Sequence, residues 1–176
     1  QEWIFNKSFR ATFGIRSDIN KLKATDRYLN DGDGTGKQTL NNVNPLIGFV
    51  YSIRKNINLY GNYSTHFETP TLNELSNNPD PSSSGGFNPG LNPQYAKNVE
   101  LGLKGFFNEN LFIEMAAFKI DALDEIIPFE LPDLPGRTFY RNAGTSFRKG
   151  FEFGLNSRLS KGLQMSMAYT YSDFSY

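Results

Sequence analysis

Few side chains in this sequence have the chemistry for catalysis or metal binding, and they are widely spaced. The chain of 176 residues has a single histidine, His66, and no cysteine. A lone imidazole without a second ligand nearby is a poor metal site, and the lack of cysteine excludes thiolate ligands and nucleophiles. The sequence also has no nucleophile elbow, phosphate-binding loop or HExxH motif. We therefore predict a protein that is not an enzyme and has neither a cofactor nor a metal site.

Four side chains are candidates for contact with a small ligand. His66 lies on a predicted strand, on the face that also carries Asn62 and Ser64. The three others lie in or beside a predicted loop over 128–140. Guanidinium groups and aromatic rings together bind anions by charge and stacking. Alternatively, His66 is an ordinary polar residue of the wall, and the loop over 128–140 faces solvent without contacting a ligand. The predicted ligand-binding residues are His66, Arg137, Tyr140 and Arg141.

A segment rich in aspartate and glycine, Asp31 to Gly36, resembles the first half of a calcium-binding loop. The complete loop requires a carboxylate at its twelfth position, where this sequence has Asn42. We therefore favour a Gly/Asp-rich surface loop without calcium.

The elements that must position these residues are β-strands. From Leu163 to Tyr171 apolar and polar side chains alternate without interruption, which is typical of a strand with two different faces. Similar alternation predicts eight strands. They run over 1–5, 8–18, 45–53, 57–67, 98–107, 111–121, 146–159 and 163–175.

The connections between these strands alternate between short and long. The long ones are predicted over 19–44, 68–97 and 128–140, and they are rich in Asn, Asp, Gly, Pro and Ser. Bacterial transmembrane barrels have short periplasmic turns and long external loops, and about ten residues per strand suffice to cross a bilayer at a tilt. The pattern thus favours a transmembrane β-barrel, although alternating strands also occur in soluble sandwiches and barrels.

Charge and hydropathy limit the other function classes. Lys plus Arg equals Asp plus Glu, at 18 each, so no excess of positive charge indicates a nucleic-acid partner. No apolar run approaches the 18 residues or so of a transmembrane helix. The residues after Gln1 do not form the charged and apolar regions of a signal peptide, so any signal peptide is expected to lie upstream or to have been removed.

Several segments, in order, resemble TonB-dependent outer-membrane receptors. Residues 67–75 (FETPTLNEL) are similar to the F-x-x-P-x-x-x-E-L segment of that family, and 88–94 (NPGLNPQ) to its N-P-x-L-x-P-E, with Gln94 where the family commonly has Glu. The strand of the E-x-G-x-K type follows at 98–105 (NVELGLKG). Further similar segments are NPLIGFVY at 44–51, NINLYGNYS at 56–64, YRNAG at 140–144, RKGFE at 148–152 and AYTY at 168–171.

This resemblance implies an all-β fold, in which the chain is a segment of about eight antiparallel strands from a barrel of roughly 22 strands. Residues 1–176 would be a partial β-barrel domain, with the plug and the other strands outside it. The implied function is active import across the bacterial outer membrane of a scarce nutrient, by resemblance a ferric siderophore, with energy from the TonB complex. Alternative cargoes are cobalamin, haem or a glycan, and a non-transporting barrel or surface-binding protein is the alternative class. Outer-membrane lipid is the remaining partner expected, and nucleic acid is not.

Overall fold

The computed structural model describes residues 1–80 and 86–176 as one antiparallel sheet with short helical segments. Within this part of the chain, eight strands pair strictly in sequence order. They are β1 (Glu2–Ile4), β2 (Phe9–Ala24), β3 (Gly36–Arg54), β4 (Ile57–Glu68), β5 (Gln94–Asn108), β6 (Leu111–Glu130), β7 (Thr138–Ser160) and β8 (Leu163–Ser175). A single helix, α1 (Leu72–Ser76), and a 3-10 turn at Leu29–Asp31 lie in the connections. The prediction of an antiparallel sheet of about eight strands is confirmed.

Several strands are longer than predicted. Strand β3 begins at Gly36 rather than 45, β6 ends at Glu130 rather than 121, and β7 begins at Thr138 rather than 146. The predicted loops over 19–44 and 128–140 are therefore wrong in extent, because 19–24, 36–44, 128–130 and 138–140 belong to paired strands. These outer segments mix polar and apolar side chains on both faces, so they lack the regular alternation by which strands are identified from sequence.

The sheet has one apolar and one polar face. Strand pairing places the alternating apolar side chains of neighbouring strands side by side, as in the row formed by Tyr51, Leu59, Leu103, Met115 and Phe153. Many large side chains of this apolar face are exposed. Examples are Ile15, Ile47, Tyr63, Leu101, Met167 and Tyr171.

Large side chains of the polar face lie over glycines of the neighbouring strand. A Cβ at Gly102 would collide with the ring of Tyr60, and a Cβ at Gly150 with the ring of Phe118 and the carbonyl oxygen of Tyr171. The rings of Tyr60 and Phe118 thus occupy the space that a side chain at Gly102 or Gly150 would take.

The long connection between β4 and β5 folds back over the polar face. We call its described residues, 69–80 and 86–93, the cap. Leu75 and Leu91 of the cap are fully buried, together with Phe87, against Leu22 and Ala24 of β2 and against Ile126 and Tyr140. The long connections lie at one end of the sheet and the short turns at the other, as predicted.

A capping box begins α1 within the cap. The hydroxyl oxygen of Thr71 accepts a hydrogen bond from the Glu74 amide at 3.3 Å, and the Glu74 carboxylate accepts one from the Thr71 amide at 2.7 Å. The sequence analysis placed this segment in the long connection 68–97, and the structure forms one helical turn within it. No helix in the described part of the chain is both long and apolar enough to span a membrane.

Candidate functional site

His66 lies on the polar face near the end of β4, where the sequence analysis placed it. Strand pairing puts it beside Ala96 of β5, with Ala122 of β6 next in the row, and these small side chains leave space around the imidazole. Its Nε2 atom is 3.2 Å from the hydroxyl oxygen of Ser64. The imidazole therefore borders a concavity of about 420 Å³, whose other lining residues include Asn98, Glu100, Phe118, Ile120 and Glu152.

The three other predicted ligand residues do not join His66 in one site. Tyr140 packs against the buried cluster of the cap. Arg137 and Arg141 lie on the opposite side of β7 by strand alternation, and the structure brings them to a pair of phenylalanines. The guanidinium carbon of Arg137 is 5.1 Å from the centre of the Phe139 ring, and that of Arg141 is 5.2 Å from the centre of the Phe129 ring.

This arrangement makes a cationic and aromatic surface at the tip of the β6–β7 hairpin. The rings of Phe129 and Phe139 are 6.0 Å apart, and Phe139 is fully buried, so the two rings are fixed. Both arginines are exposed. Guanidinium groups held over rings keep their donors free for an anion, which is the chemistry predicted from the sequence.

The β6–β7 hairpin changes direction between its membrane part and its tip. Asp124 of β6 has φ +56° and Gly144 of β7 has φ +43°, and the two lie between the pairs Leu123–Thr145 and Glu125–Ala143. A positive φ is uncommon for aspartate, so this is a localised bend.

Asparagine side chains hold the bent hairpin against the cap. The Nδ2 group of Asn142 donates to the carbonyl of Asp124 at 2.7 Å and to that of Asn92 at 2.9 Å, and its Oδ1 accepts from the Asn92 amide at 2.7 Å. The side chain of Asn88 donates to the carbonyl of Tyr140 at 3.2 Å. The cap and the hairpin thus form one hydrogen-bonded unit.

Gln94 links the same elements from β5. Its amide nitrogen donates to the carboxylate of Glu68, and its carbonyl oxygen accepts from the Ile126 amide at 3.1 Å. A glutamate here would accept from Ile126 but would have no donor for Glu68, so the departure from the family pattern fits the local contacts.

Three carboxylates, not singled out in the sequence analysis, lie on the polar face below the cap. Glu100, Glu114 and Glu152 come from successive strands and occupy adjacent rows. In the described part of the chain, none of them has a cationic side chain within 4 Å. The sequence could have indicated them, because they are charged residues at the polar-face positions of strands that are otherwise largely apolar.

The aspartate-rich loop uses its carboxylates internally. The Asp26 carboxylate accepts from the amides of Tyr28 and Gly34, both at 2.8 Å, and that of Asp33 accepts from the Thr35 amide at 2.9 Å. The amide of Tyr28, followed by that of Gly34, holds the pKa of Asp26 below its usual value, and the side-chain hydroxyl of Thr35, followed by its amide, lowers the pKa of Asp33.

Metal binding has no support from side-chain placement in the described residues. The side chain of Asp31, the first residue of the calcium-like segment, lies outside them. Elsewhere in the described part, no three His, Cys, Asp or Glu side chains are grouped closely enough to hold a metal ion.

Comparisons with known proteins agree on one family. The model of the "TonB dependent receptor-like, beta-barrel" family matches residues 1–176. The chain is 26% identical, over 91% of its length, to a probable TonB-dependent siderophore receptor, PiuA, of Acinetobacter baumannii. It is 27% identical, over 97% of its length, to an iron-regulated outer membrane virulence protein of Vibrio cholerae. It covers 21% and 26% of these relatives, so it spans about a quarter of their length.

Solved structures show the same fold. The alcaligin outer-membrane receptor FauA of Bordetella pertussis matches 99% of the chain with a TM-score of 0.68 and 19% identity, and the chain covers 28% of it. The copper transporter OprC matches 97% with a TM-score of 0.73 and 15% identity, and the chain again covers 28%. At such identities the likeness concerns the fold alone. Proteins of this family are receptors and transporters of the bacterial outer membrane, not enzymes, in agreement with the sequence analysis. The chain belongs to the TonB-dependent receptor family, as part of its β-barrel.

Proposed function

We propose that this chain is part of the wall of an outer-membrane active-transport receptor that binds a scarce nutrient outside the cell and imports it. Its strands would supply about a third of a barrel of roughly 22 strands, closed by further strands and filled by a plug outside residues 1–176. The TonB complex would act through those outside regions. The apolar face would then contact lipid, and the polar face would line the lumen.

The observation that carries this proposal is the difference between the two ends of the polar face. At the long-loop end the cap folds inward over the lumen side and stays attached to β2 and to the β6–β7 hairpin. Below it the wall is open and polar, with a concavity beside His66. A ligand could bind to the cap and hairpin on the outside and then pass along the hydrated wall beneath them. This arrangement fits binding and transport of a ligand rather than a reaction on it.

The carboxylates of the lumen wall suit a movable plug. Glu100, Glu114 and Glu152 have no cationic side chain within 4 Å in the described residues, and a plug that covered them would leave these carboxylates buried without a counter-charge, which is costly. Basic side chains of a plug would provide this counter-charge when the lumen is filled. Such ion pairs break and re-form more readily than an apolar seal would, since both partners can be hydrated when apart.

A ferric siderophore is the cargo that we propose. The exposed guanidinium groups of Arg137 and Arg141, fixed over aromatic rings, suit an anionic and partly planar chelate. His66 of β4 and Tyr140 of β7, which packs beside the cap, would contact the cargo from the lumen side. Two relatives with siderophore or iron-regulated names support the choice. Cobalamin, haem and glycans are alternatives, and so is a non-transporting surface barrel.

Uptake of radioactive iron by a deletion strain tests this proposal. With individual ferric siderophores under iron limitation, we expect at least one iron source whose uptake is lost on deletion and restored by the gene. Restoration by R137Q/R141Q should be poor at low siderophore concentration and improve at high concentration, because binding is impaired. Unchanged uptake of every iron source would contradict the proposed ferric-siderophore cargo. If the complete gene encoded neither a plug nor an energy-coupling segment, the proposal of active transport would be wrong.

A further inference from the structure

Three lysines form an unbalanced positive patch on the apolar face of the β2–β3 hairpin. Lys23 and Lys37 are directly opposite each other in the strand pairing, and Lys21 lies on the same face one pair below. Directly opposed like charges destabilise a strand pair, because their Cβ atoms are only about 5 Å apart. All three side chains are exposed.

Among the described side chains, no acidic group forms an ion pair with this patch. None of the ion pairs within 4 Å in the described residues involves the three lysines. The carboxylates of the adjoining loop, Asp26 and Asp33, are occupied by backbone amides.

Two other lysines on the same face of the sheet are neutralised, whereas Lys97 of β5 lies opposite Asp121 in the strand pairing without an ion pair within 4 Å in the part of the chain that the structure describes. Lys119 is 2.7 Å from a carboxylate oxygen of Asp121, and Lys149 is 3.4 Å from one of Asp173. The chain therefore pairs outward lysines with aspartate on β6–β8 and leaves them unpaired on β2–β3.

The height of the patch coincides with the edge of the membrane. On β2 the apolar face runs from Phe9 to Ile19 with Ser17 as its one polar side chain, and Lys21 follows. Ten residue steps span roughly 33 Å along a strand, and a tilt of about 40° reduces this to roughly 25 Å, the height of the lipid-facing band of such barrels. Because long loops face outward, the patch lies at the outer leaflet.

The opposite face of the same hairpin end is covered. Leu22 and Ala24 pack under the cap, and Gly36 touches Phe87. The lysines consequently cannot turn inward, and their ammonium groups stay at the lipid surface.

We propose that Lys21, Lys23 and Lys37 form a binding site for a phosphate group on the headgroup of an outer-leaflet lipid. Three ammonium groups around a doubly charged phosphate remove the repulsion between Lys23 and Lys37, while Ile15, Ile19 and Val43 contact the acyl chains below. The site rests on the outer-membrane location of the family and not on the cargo or on transport, so the two proposals fail independently.

The test uses the complete receptor that contains this chain, reconstituted in nanodiscs or detergent. The probes are lipid A with both phosphates and lipid A from which the phosphates have been removed. We expect the wild type to prefer the phosphorylated lipid, and K21Q/K23Q/K37Q to bind it on the order of 100-fold more weakly, since each lysine near an anionic surface contributes about a factor of five. The matched control is K7Q/K55Q/K161Q, which removes three lysines from the short-turn end and should leave binding unchanged.

Folding is checked by the heat-dependent gel mobility of the barrel, and K21R/K23R/K37R keeps the charge if the glutamine variant does not assemble. This arginine variant should bind like the wild type. Equal binding of both lipids, undiminished binding by the glutamine variant, or an equal loss in the control would each overturn the site. Full displacement by millimolar inorganic phosphate would assign it to free phosphate and overturn the lipid as its occupant.

Discussion

In the cap, Leu75 and Leu91 are fully buried, whereas in the wall Leu101 and Tyr169 remain 51% and 55% exposed on the apolar face. The wall is one sheet thick, so the side chains of its apolar face contact only their neighbours within the sheet, as Trp3 contacts Phe13, and no second layer of protein covers them in the described residues. The cap has apolar side chains enclosed on all sides, as in a water-soluble domain. The two regions of the chain therefore depend on different surroundings, the cap on its own apolar core and the wall on lipid. Substitutions in the core of the cap should consequently destabilise the cap without destabilising the wall.

The largest effect is expected from L91A in the cap. Removing a fully buried leucine side chain costs about 2–5 kcal/mol, so the cap should open while the sheet persists. Hydrogen exchange of the Leu75 and Asn77 amides, which bond to Thr71 and Asn73, would report this opening. L101A on the lipid face is the matched control and should leave cap exchange unchanged. Loss of the whole barrel in L91A would refute the independence of the two regions.

The next largest effect is expected in the stability of the wall, with no change in the cap. G150A places a methyl group against the Phe118 ring and the Tyr171 carbonyl, and overpacking of this kind costs about 1–3 kcal/mol. G48A is the control, because its nearest neighbour would be 3.5 Å away, an ordinary contact. Thermal unfolding in detergent should show a lower Tm for G150A alone. Equal Tm values would show that the space at Gly150 is not needed.

A smaller effect is expected at the junction between the two regions. N142A removes the three hydrogen bonds that join β7 to Asn92 and Asp124, each contributing about 0.5–1.5 kcal/mol. The hairpin tip should become more mobile without unfolding of the cap or the wall. Spin labels at the exposed positions 133 and 76 would then give a broader distance distribution. An unchanged distribution would mean that Asn88 and Tyr140 suffice to hold the hairpin.

The smallest effect is a local response to acid in the loop between β2 and β3. The pKa values of Asp26 and Asp33 are lowered in the folded state, so their stabilising contribution is present above the unfolded value of 3.8 and is lost as the pH falls through the folded pKa. Exchange of the Gly34 and Thr35 amides should rise there, while that of cap amides stays constant. D26N should show fast Gly34 exchange already at neutral pH. A response that begins above pH 5 would contradict this assignment.

The site was less predictable than the fold. Polar side chains at inward strand positions, such as Glu100, could be assigned to a face, and His66 lies on the face assigned to it. The separation of Tyr140 from Arg137 and Arg141 follows from simple strand alternation, but the sequence analysis took 128–140 as a loop, in which no faces are defined. The role of these residues in binding stays a prediction.

By itself the sequence determined the strand order, the apolar face and the side of the long connections, because alternation and turn residues are local properties that each strand carries independently. Only the tertiary structure decided that the β4–β5 connection is a cap, that Asn142 and Gln94 attach it, and that Lys23 faces Lys37. Such contacts join residues that are distant in the chain, and their register depends on how far polar strands continue beyond the membrane. In that region polar and apolar side chains occur on both faces, so side-chain hydrophobicity no longer distinguishes one face from the other.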